Sequence, residues 1–242
     1  MGGPCDTMGS MAVDIAFDIP VEHGHCVGIR LPQEESGIAR LAESQLFLEE
    51  RAAVEGKSFF RRRSFIGGRA ALREALSRAC LHAPPVLNDL RGAPRFPPGI
   101  VGSISHKEHI AVALVAREPR AWVGVDVETD AVQKVDIASK VLAADEVEAL
   151  AGLDADRRAR EVLVRFSAKE SIYKALDRFV QRFVGFEEVS VATLPGGGAV
   201  VAARLRPNEG PFDIQVHWRR FDGLVLTTAR VDFAGRASSS GG

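Results

Sequence analysis

The 242 residues are 46% apolar and 26% charged, the make-up of a folded globular protein with enough length for one large domain or two small ones. The 31 basic and 32 acidic side chains leave a net charge of −1, which excludes a global pull toward nucleic acid or an acidic membrane, so any anion site must be local. Cys5, Cys26 and Cys80 are widely spaced and odd in number, which excludes a disulfide framework and a zinc site and fits a reducing compartment.

No apolar run reaches membrane-spanning length, and the N-terminus lacks a charged-then-apolar signal pattern, so a cytoplasmic protein is expected. Residues 1–11 and 235–242 are small and polar and are expected to be disordered. Strand-like IAFDIP and CVGIRL open the ordered chain, and Pro32 leads into helical patterning up to about Val54. A second helix is predicted from about Phe59 to Cys80, with Phe65, Leu72 and Leu76 as its buried stripe. Its start is strongly basic, with Lys57, Arg61, Arg62, Arg63, Arg69 and Arg73 close together. Residues 83–99 carry too much Pro and Gly for a regular element. Strands follow in VGSISH, IAVALVA and WVGVDVE.

The second half repeats the grammar. Helical patterns cover about 136–151 and 155–180, then VSVATL, AVVAARL, FDIQVHW and LVLTTARV read as strands, with turns at Gly196–Gly198 and Asp222-Gly223. The prediction is an α+β fold of two similar halves, 12–128 and 129–234, related by pseudo-twofold symmetry, each a helix packed on a small antiparallel sheet. The cleft between the halves is then the natural ligand site.

Two segments carry the chemistry. Asp126 and Glu128 are two apart in a β-branched run, so on a strand both carboxylates point to one face. Glu170 and Lys174 are four apart on a helical pattern and stack on one face. Together they are the parts for holding a hard divalent cation against a phosphate, provided the two elements meet.

Four blocks then stand in order: RRRSFIGGRAALREAL (61–76), GAPRFPPGIVGSISH (92–106), VGVDVE (123–128) and FSAKESIYKAL (166–176). Each is a weak signal alone; the ordered set resembles the Sfp-type 4'-phosphopantetheinyl transferases, in the subgroup that contains enterobactin synthetase component D. The chain departs from the family pattern in Phe96 and Phe166, where Trp is usual, and in Gly67 for Ala. These swaps leave the polar residues of the motifs in place.

The resemblance implies the 4'-phosphopantetheinyl transferase fold and a Mg²⁺-dependent transfer of phosphopantetheine from coenzyme A to a serine of apo carrier-protein domains. Peptide-synthetase or polyketide carriers, in siderophore or antibiotic assembly, are the implied partners, and adenosine 3',5'-bisphosphate the product. It implies Asp126, Glu128 and Glu170 as metal-facing carboxylates, with Glu170 also open to a role as general base and Lys174 on the pyrophosphate. Ser105 and His106 match the position that grips the coenzyme A 3'-phosphate, and Arg91 the basic position beside it. Arg61, Arg62 and Arg63 suit the same phosphate, yet three consecutive helical positions span about 200° of arc and cannot all face one ligand. Arg95 is a weaker candidate, and Arg69 is open to a structural role. Lys169 matches a motif position and suits ligand contact or a bridge between the halves equally well. Phe179, Phe183 and Phe186 fit core packing better than a carrier-binding patch.

With both halves of the site in one chain, a monomer is expected. The rival expectation is a non-catalytic module that binds coenzyme A or carrier proteins on the same fold. Another kind of Mg²⁺ phosphotransferase lacks support, because no G-x-x-x-x-G-K-[ST] loop is present.

Overall fold

Period-two patterning opens the chain as an antiparallel hairpin, β1 (Ile15–Val21) on β2 (Gly24–Arg30). The computed structural model describes residues 13–118, 120–131 and 137–234, so the expected disordered ends lie outside the described residues. The single helix predicted after Pro32 is two, α1 (Glu35–Gln45) and α2 (Leu48–Ala52). The break falls at Leu46 and Phe47, which are extended, and the Phe47 N–H donates to Glu50. Next come α3 (Phe59–Arg78), the irregular 83–99 segment, and strands β3 (Ile100–Lys107), β4 (Ile110–Arg117) and β5 (Trp122–Thr129).

The first sheet runs β1-β2-β4-β3, all antiparallel. Helix α3 lays Ala70, Ala71, Leu72, Ala75 and Leu76 against Val27, Ile29, Ala111, Ala113 and Val115. The small residues on that stripe let the helix sit close to the strands. Gly67 is one of them, since a Cβ there would stand 2.3 Å from Leu31 Cδ2.

Short helices α4 (Ala138–Val141) and α5 (Ala144–Ala149) precede the long α6 (Ala155–Val180). The α6 N-terminus is capped by Asp154, whose carboxylate accepts the Arg157 N–H, and the helix ends at Gln181 in the left-handed conformation. Strands β6 (Val189–Thr193), β7 (Gly198–Ala203), β8 (Phe212–Phe221) and β9 (Leu224–Phe233) complete the second sheet, in the order β5-β9-β8-β7-β6. The β8–β9 hairpin turns on Asp222-Gly223, both at positive φ (49° and 72°), as a two-residue primed turn requires. Ile172 and Leu176 of α6 are fully buried on this sheet, each contributing about 1.5–3 kcal/mol relative to exposure.

Each half is thus a long helix on an antiparallel sheet, with one correction. Strand β5, expected to close the first half, pairs along its whole length with β9 and belongs to the second sheet. The expected junction after residue 128 therefore falls a strand too late. The reason is the alternation within β5. Val123, Val125 and Val127 pack with Cys26, Val101, Val112 and Leu114 of the first sheet, while Gly124, Asp126 and Glu128 face the other way, toward α6. Among the described residues, no helix is long and apolar enough to cross a membrane.

Candidate active site

The even face of β5 and α6 are brought into direct contact by Gly124. A Cβ at that position would lie 1.8 Å from the Ser171 carbonyl oxygen, so only glycine lets the helix come this close. Two residues further along, the strand presents Asp126 to the same helix. Its carboxylate is buried and held from three sides. Ser105 Oγ of β3 donates to Oδ1 at 2.8 Å, Ser167 Oγ of α6 donates to Oδ2 at 2.8 Å, and Lys174 Nζ reaches Oδ1 at 2.9 Å. Lys174 also donates to Ser105 Oγ (3.0 Å) and the Val125 carbonyl (2.9 Å). Ser167 in turn sits 3.0 Å from Thr227 Oγ1 of β9. The Asp126 side chain is thus fixed by residues from β3 and α6, with Thr227 of β9 behind Ser167.

Glu128 lies buried at the next position of the same face, and Lys107 Nζ of β3 pairs with it at 2.6 Å. Burial raises its carboxyl pKa above the ordinary 4.5, against the pull of Lys107. Glu170 is likewise raised, first by desolvation and then by the charges of Asp126 and Glu128, with Lys174 opposing. These three carboxylates therefore share one field of like charge.

Among the described residues, no three His, Cys, Asp or Glu side chains converge into a ready-made metal cage. The donor set nevertheless fits Mg²⁺, which needs only one or two carboxylates and completes its shell with water and phosphate oxygens. A cation would also offset the charges of Asp126 and Glu128, which add to desolvation in raising Glu170.

A cleft of about 590 Å³ opens beside Glu170, Tyr173 and Lys174 and runs between α6 and the 89–96 turn, with Trp122 and Ile104 on its walls. A second cavity of about 360 Å³ shares Gly92, Pro94 and Ile104 with the first and is lined by Lys57, Arg61 and His106. His106 stands on its rim, edge-on to Phe60 with ring centroids 6.4 Å apart. Desolvation of the ring and the positive charge of Lys174 lower its pKa below the ordinary 6.5.

The arginine run divides as helical geometry demands. Arg61 faces the second cavity. Arg62 is tied to Glu35 of α1 and to the Lys57 carbonyl, and Arg63 donates to the Pro32 carbonyl at 3.0 Å. Those two expected phosphate ligands hold α1 and its leading loop onto α3. Arg69 is buried and serves the 83–99 segment, donating to the Val86 carbonyl and Asn88 Oδ1 at 2.5 Å each, while Arg73 pairs with the fully buried Glu50. Arg91 and Arg95 both line the large cleft, and Arg91 is engaged by Asp177.

Two expectations need correction. Lys169 is fully buried, and its ammonium donates to Glu146 Oε2 (2.5 Å), the Val141 carbonyl (2.7 Å) and the Phe186 carbonyl (2.9 Å). All three partners lie in the second half, so it neither lines the cleft nor bridges the halves. On a helix, position 169 points about 100° away from Glu170, into the packing against α5. Ser105, expected on the 3'-phosphate, is spent on Asp126 and Lys174 because its strand side chain points to β5, while its neighbour His106 points to the second cavity. Of the three late phenylalanines, Phe179 packs on Phe212 and Phe233, Phe186 on Tyr173 and Phe166, and Phe183 stands 79% exposed at the cleft.

Sequence reading missed Gly124, Ser167 and Asp177. Ser167 had a signal, since it precedes Lys174 by seven residues, two helical turns, on the α6 face that meets β5.

Residues 49–116 match the family model of the 4'-phosphopantetheinyl transferase N-terminal domain, and residues 122–229 that of the 4'-phosphopantetheinyl transferase superfamily. The chain belongs to the 4'-phosphopantetheinyl transferase superfamily and is an enzyme of that transferase class. The second match begins at Trp122, the first residue of β5, in step with the pairing of that strand into the second sheet. Over 197 residues the chain is 35% identical to 4'-phosphopantetheinyl transferase Svp of Streptomyces mobaraensis, covering 78% of this chain and 79% of that one. It is 28% identical over 189 residues to enterobactin synthase component D of Escherichia coli O157:H7, covering 77% and 85%. A holo-(acyl-carrier-protein) synthase from Bacillus anthracis, solved in complex with CoA (3',5'-ADP), aligns with 46% of this chain and 96% of its own at 17% identity and a TM-score of 0.39.

Proposed function

We propose that the protein transfers the 4'-phosphopantetheine group of coenzyme A to a serine hydroxyl of apo carrier-protein domains of nonribosomal peptide or polyketide synthesis, with Mg²⁺ as cofactor. The observation that carries this reading is the Asp126 constellation. A carboxylate is clamped by Ser105, Ser167 and Lys174 with Glu128 and Glu170 in the same field, and Lys174 and Glu170 line a cleft that shares Gly92, Pro94 and Ile104 with the basic cavity of Arg61 and His106.

In the transfer, the carrier serine oxygen attacks the phosphorus that bears the pantetheine arm. The P–O bond to the adenosine-bearing phosphate breaks, and adenosine 3',5'-bisphosphate leaves with the bond's electron pair. Asp126, Glu128 and Glu170 would hold Mg²⁺, which when bound neutralises pyrophosphate charge. Glu170, in the same field beside Lys174, takes the serine proton. Lys174, held by Asp126 and the Val125 carbonyl, presents a fixed positive charge to the leaving phosphate. Arg61 and His106 receive the 3'-phosphate at the far end.

The test is incubation of several apo carrier domains with coenzyme A, Mg²⁺ and the protein, followed by intact mass spectrometry. A mass gain equal to phosphopantetheine on the carrier serine, absent with chelator, is expected. Coenzyme A binding without mass gain on any carrier would instead mark a non-catalytic binding module.

A further inference from the structure

The cations that line the large cleft are held in different ways. Lys174 is paired with an Asp126 that two hydroxyls fix in place, and Arg182 is gripped by Glu188 and Glu209 together. Arg91 is different. Its Nε and Nη2 fork onto Asp177 of α6, at 3.0 Å and 2.5 Å to Oδ1, and both residues line the cleft itself. The pair stands in a solvent-accessible wall, with the side chains 42% and 25% exposed.

The turn that presents Arg91 is already shaped without Asp177. Asp89 Oδ1 accepts the N–H groups of Arg91 (2.8 Å) and Ala93 (3.0 Å), and Asn88 bridges to Pro94. Arg69 anchors the approach to the turn at Val86 and Asn88. Breaking the Arg91–Asp177 pair therefore needs a side-chain rotation and no rebuilding of the loop. Nε and Nη2 of Arg91 converge on one carboxylate oxygen, with Oδ2 at 3.3 Å from Nε, and the same pair of N–H groups can donate to the oxygens of a phosphate.

We propose that Asp177 is an internal competitor for Arg91, a carboxylate that occupies the guanidinium in the free enzyme and is exchanged for a substrate phosphate on binding. The inference rests on coenzyme A as the substrate of this cleft and adds to that reading a residue that lowers substrate affinity. Asp177 sits three residues beyond Lys174 on α6, so the group that delays binding and the group that serves the pyrophosphate ride on one helix. Loss of the competitor should act on binding and leave the chemical step alone.

Isothermal titration of coenzyme A with Mg²⁺ tests this on the wild type, Asp177→Asn, Arg91→Ala and the double variant. Asp177→Asn is expected to bind about two- to fivefold tighter, the amount by which an exposed ion pair holds its partner back. It should lower KM for coenzyme A in the same ratio without raising kcat. Arg91→Ala should bind more weakly than wild type, and Asp177→Asn should bring no gain in the Arg91→Ala background. Thermal unfolding of each variant confirms that it is folded. Equal or weaker binding by folded Asp177→Asn, or a gain that persists without Arg91, overturns the competitor role alone. Failure of the wild type to bind coenzyme A overturns the reading of the cleft and the inference with it.

Discussion

Gly124→Ala offers the sharpest perturbation of the site, because it adds one methyl group and removes no functional atom. The new Cβ would stand 1.8 Å from the Ser171 carbonyl oxygen, 2.8 Å from its carbon and 3.1 Å from the Ala175 nitrogen, where contacts below 3.0 Å essentially never occur. All three are backbone atoms of α6, so no side chain can rotate away and the helix must retreat by about 1 Å or more. That retreat would pull Ser167 and Lys174 off Asp126, since both hydrogen bonds cross the same contact. Overpacking of this kind costs about 1–3 kcal/mol, a fall in Tm of roughly 2–12 °C for a chain of this size. Displacing a catalytic group by 1 Å costs on the order of 10²-fold in rate, so kcat for carrier loading should fall by about that factor. The assay is initial-rate carrier loading followed by mass spectrometry, alongside thermal unfolding by circular dichroism. Gly152→Ala is the control, as nothing lies within 4 Å of its added Cβ. A Gly124→Ala enzyme with near-normal kcat would refute the argument that strand–helix proximity assembles the site.

Glu170→Gln should abolish transfer and retain coenzyme A binding, measured by carrier loading and calorimetry. The same variant should have a higher Tm at pH 7. The folded-state pKa of Glu170 is raised, so its ionisation opposes folding as pH climbs, and the gain should vanish below about pH 4.5, where the wild-type carboxyl is protonated in both states. Lys169→Met should cost about 3–5 kcal/mol in urea unfolding, because it strands the buried Glu146 carboxylate without its cation. Arg61→Ala should raise KM for coenzyme A, whereas Arg62→Ala, which loses only contacts to Glu35 and the Lys57 carbonyl, should leave it unchanged.

What could be read from sequence was whatever depends on periodicity. The strands around VGVDVE and LVLTTARV and the helix over 155–180 appear where alternation and helical spacing predict them. The common face of Asp126 and Glu128 follows from the same rule. Pairing between distant strands has no such local mark. Nothing in β5 announces that its partner is β9 rather than a strand of the first half, because its valines and its acidic face are equally compatible with both. Side-chain allegiance was hidden for a related reason. Arg62 and Lys169 look like available cations until Glu35, Glu146 and Phe186, far away in sequence, arrive to claim them. Ser105 matched a phosphate-binding motif, yet its direction is set by the face of β3 it occupies.

The pairing of Trp122 with Val231 at one end of β5 and of Thr129 with Leu224 at the other closes loops of about a hundred residues. During synthesis, Asp126 leaves the ribosome long before the strand that will flank it. Until β9 emerges, β5 has no strand partner, and the carboxylate that Ser167 will grip has no settled neighbour in the second sheet. Completion of the Asp126 constellation, whose Ser167 meets Thr227 of β9, is thus among the last events in the folding of a newborn chain. A carrier domain made at the same moment must wait for the final strand of its activating enzyme to be threaded home.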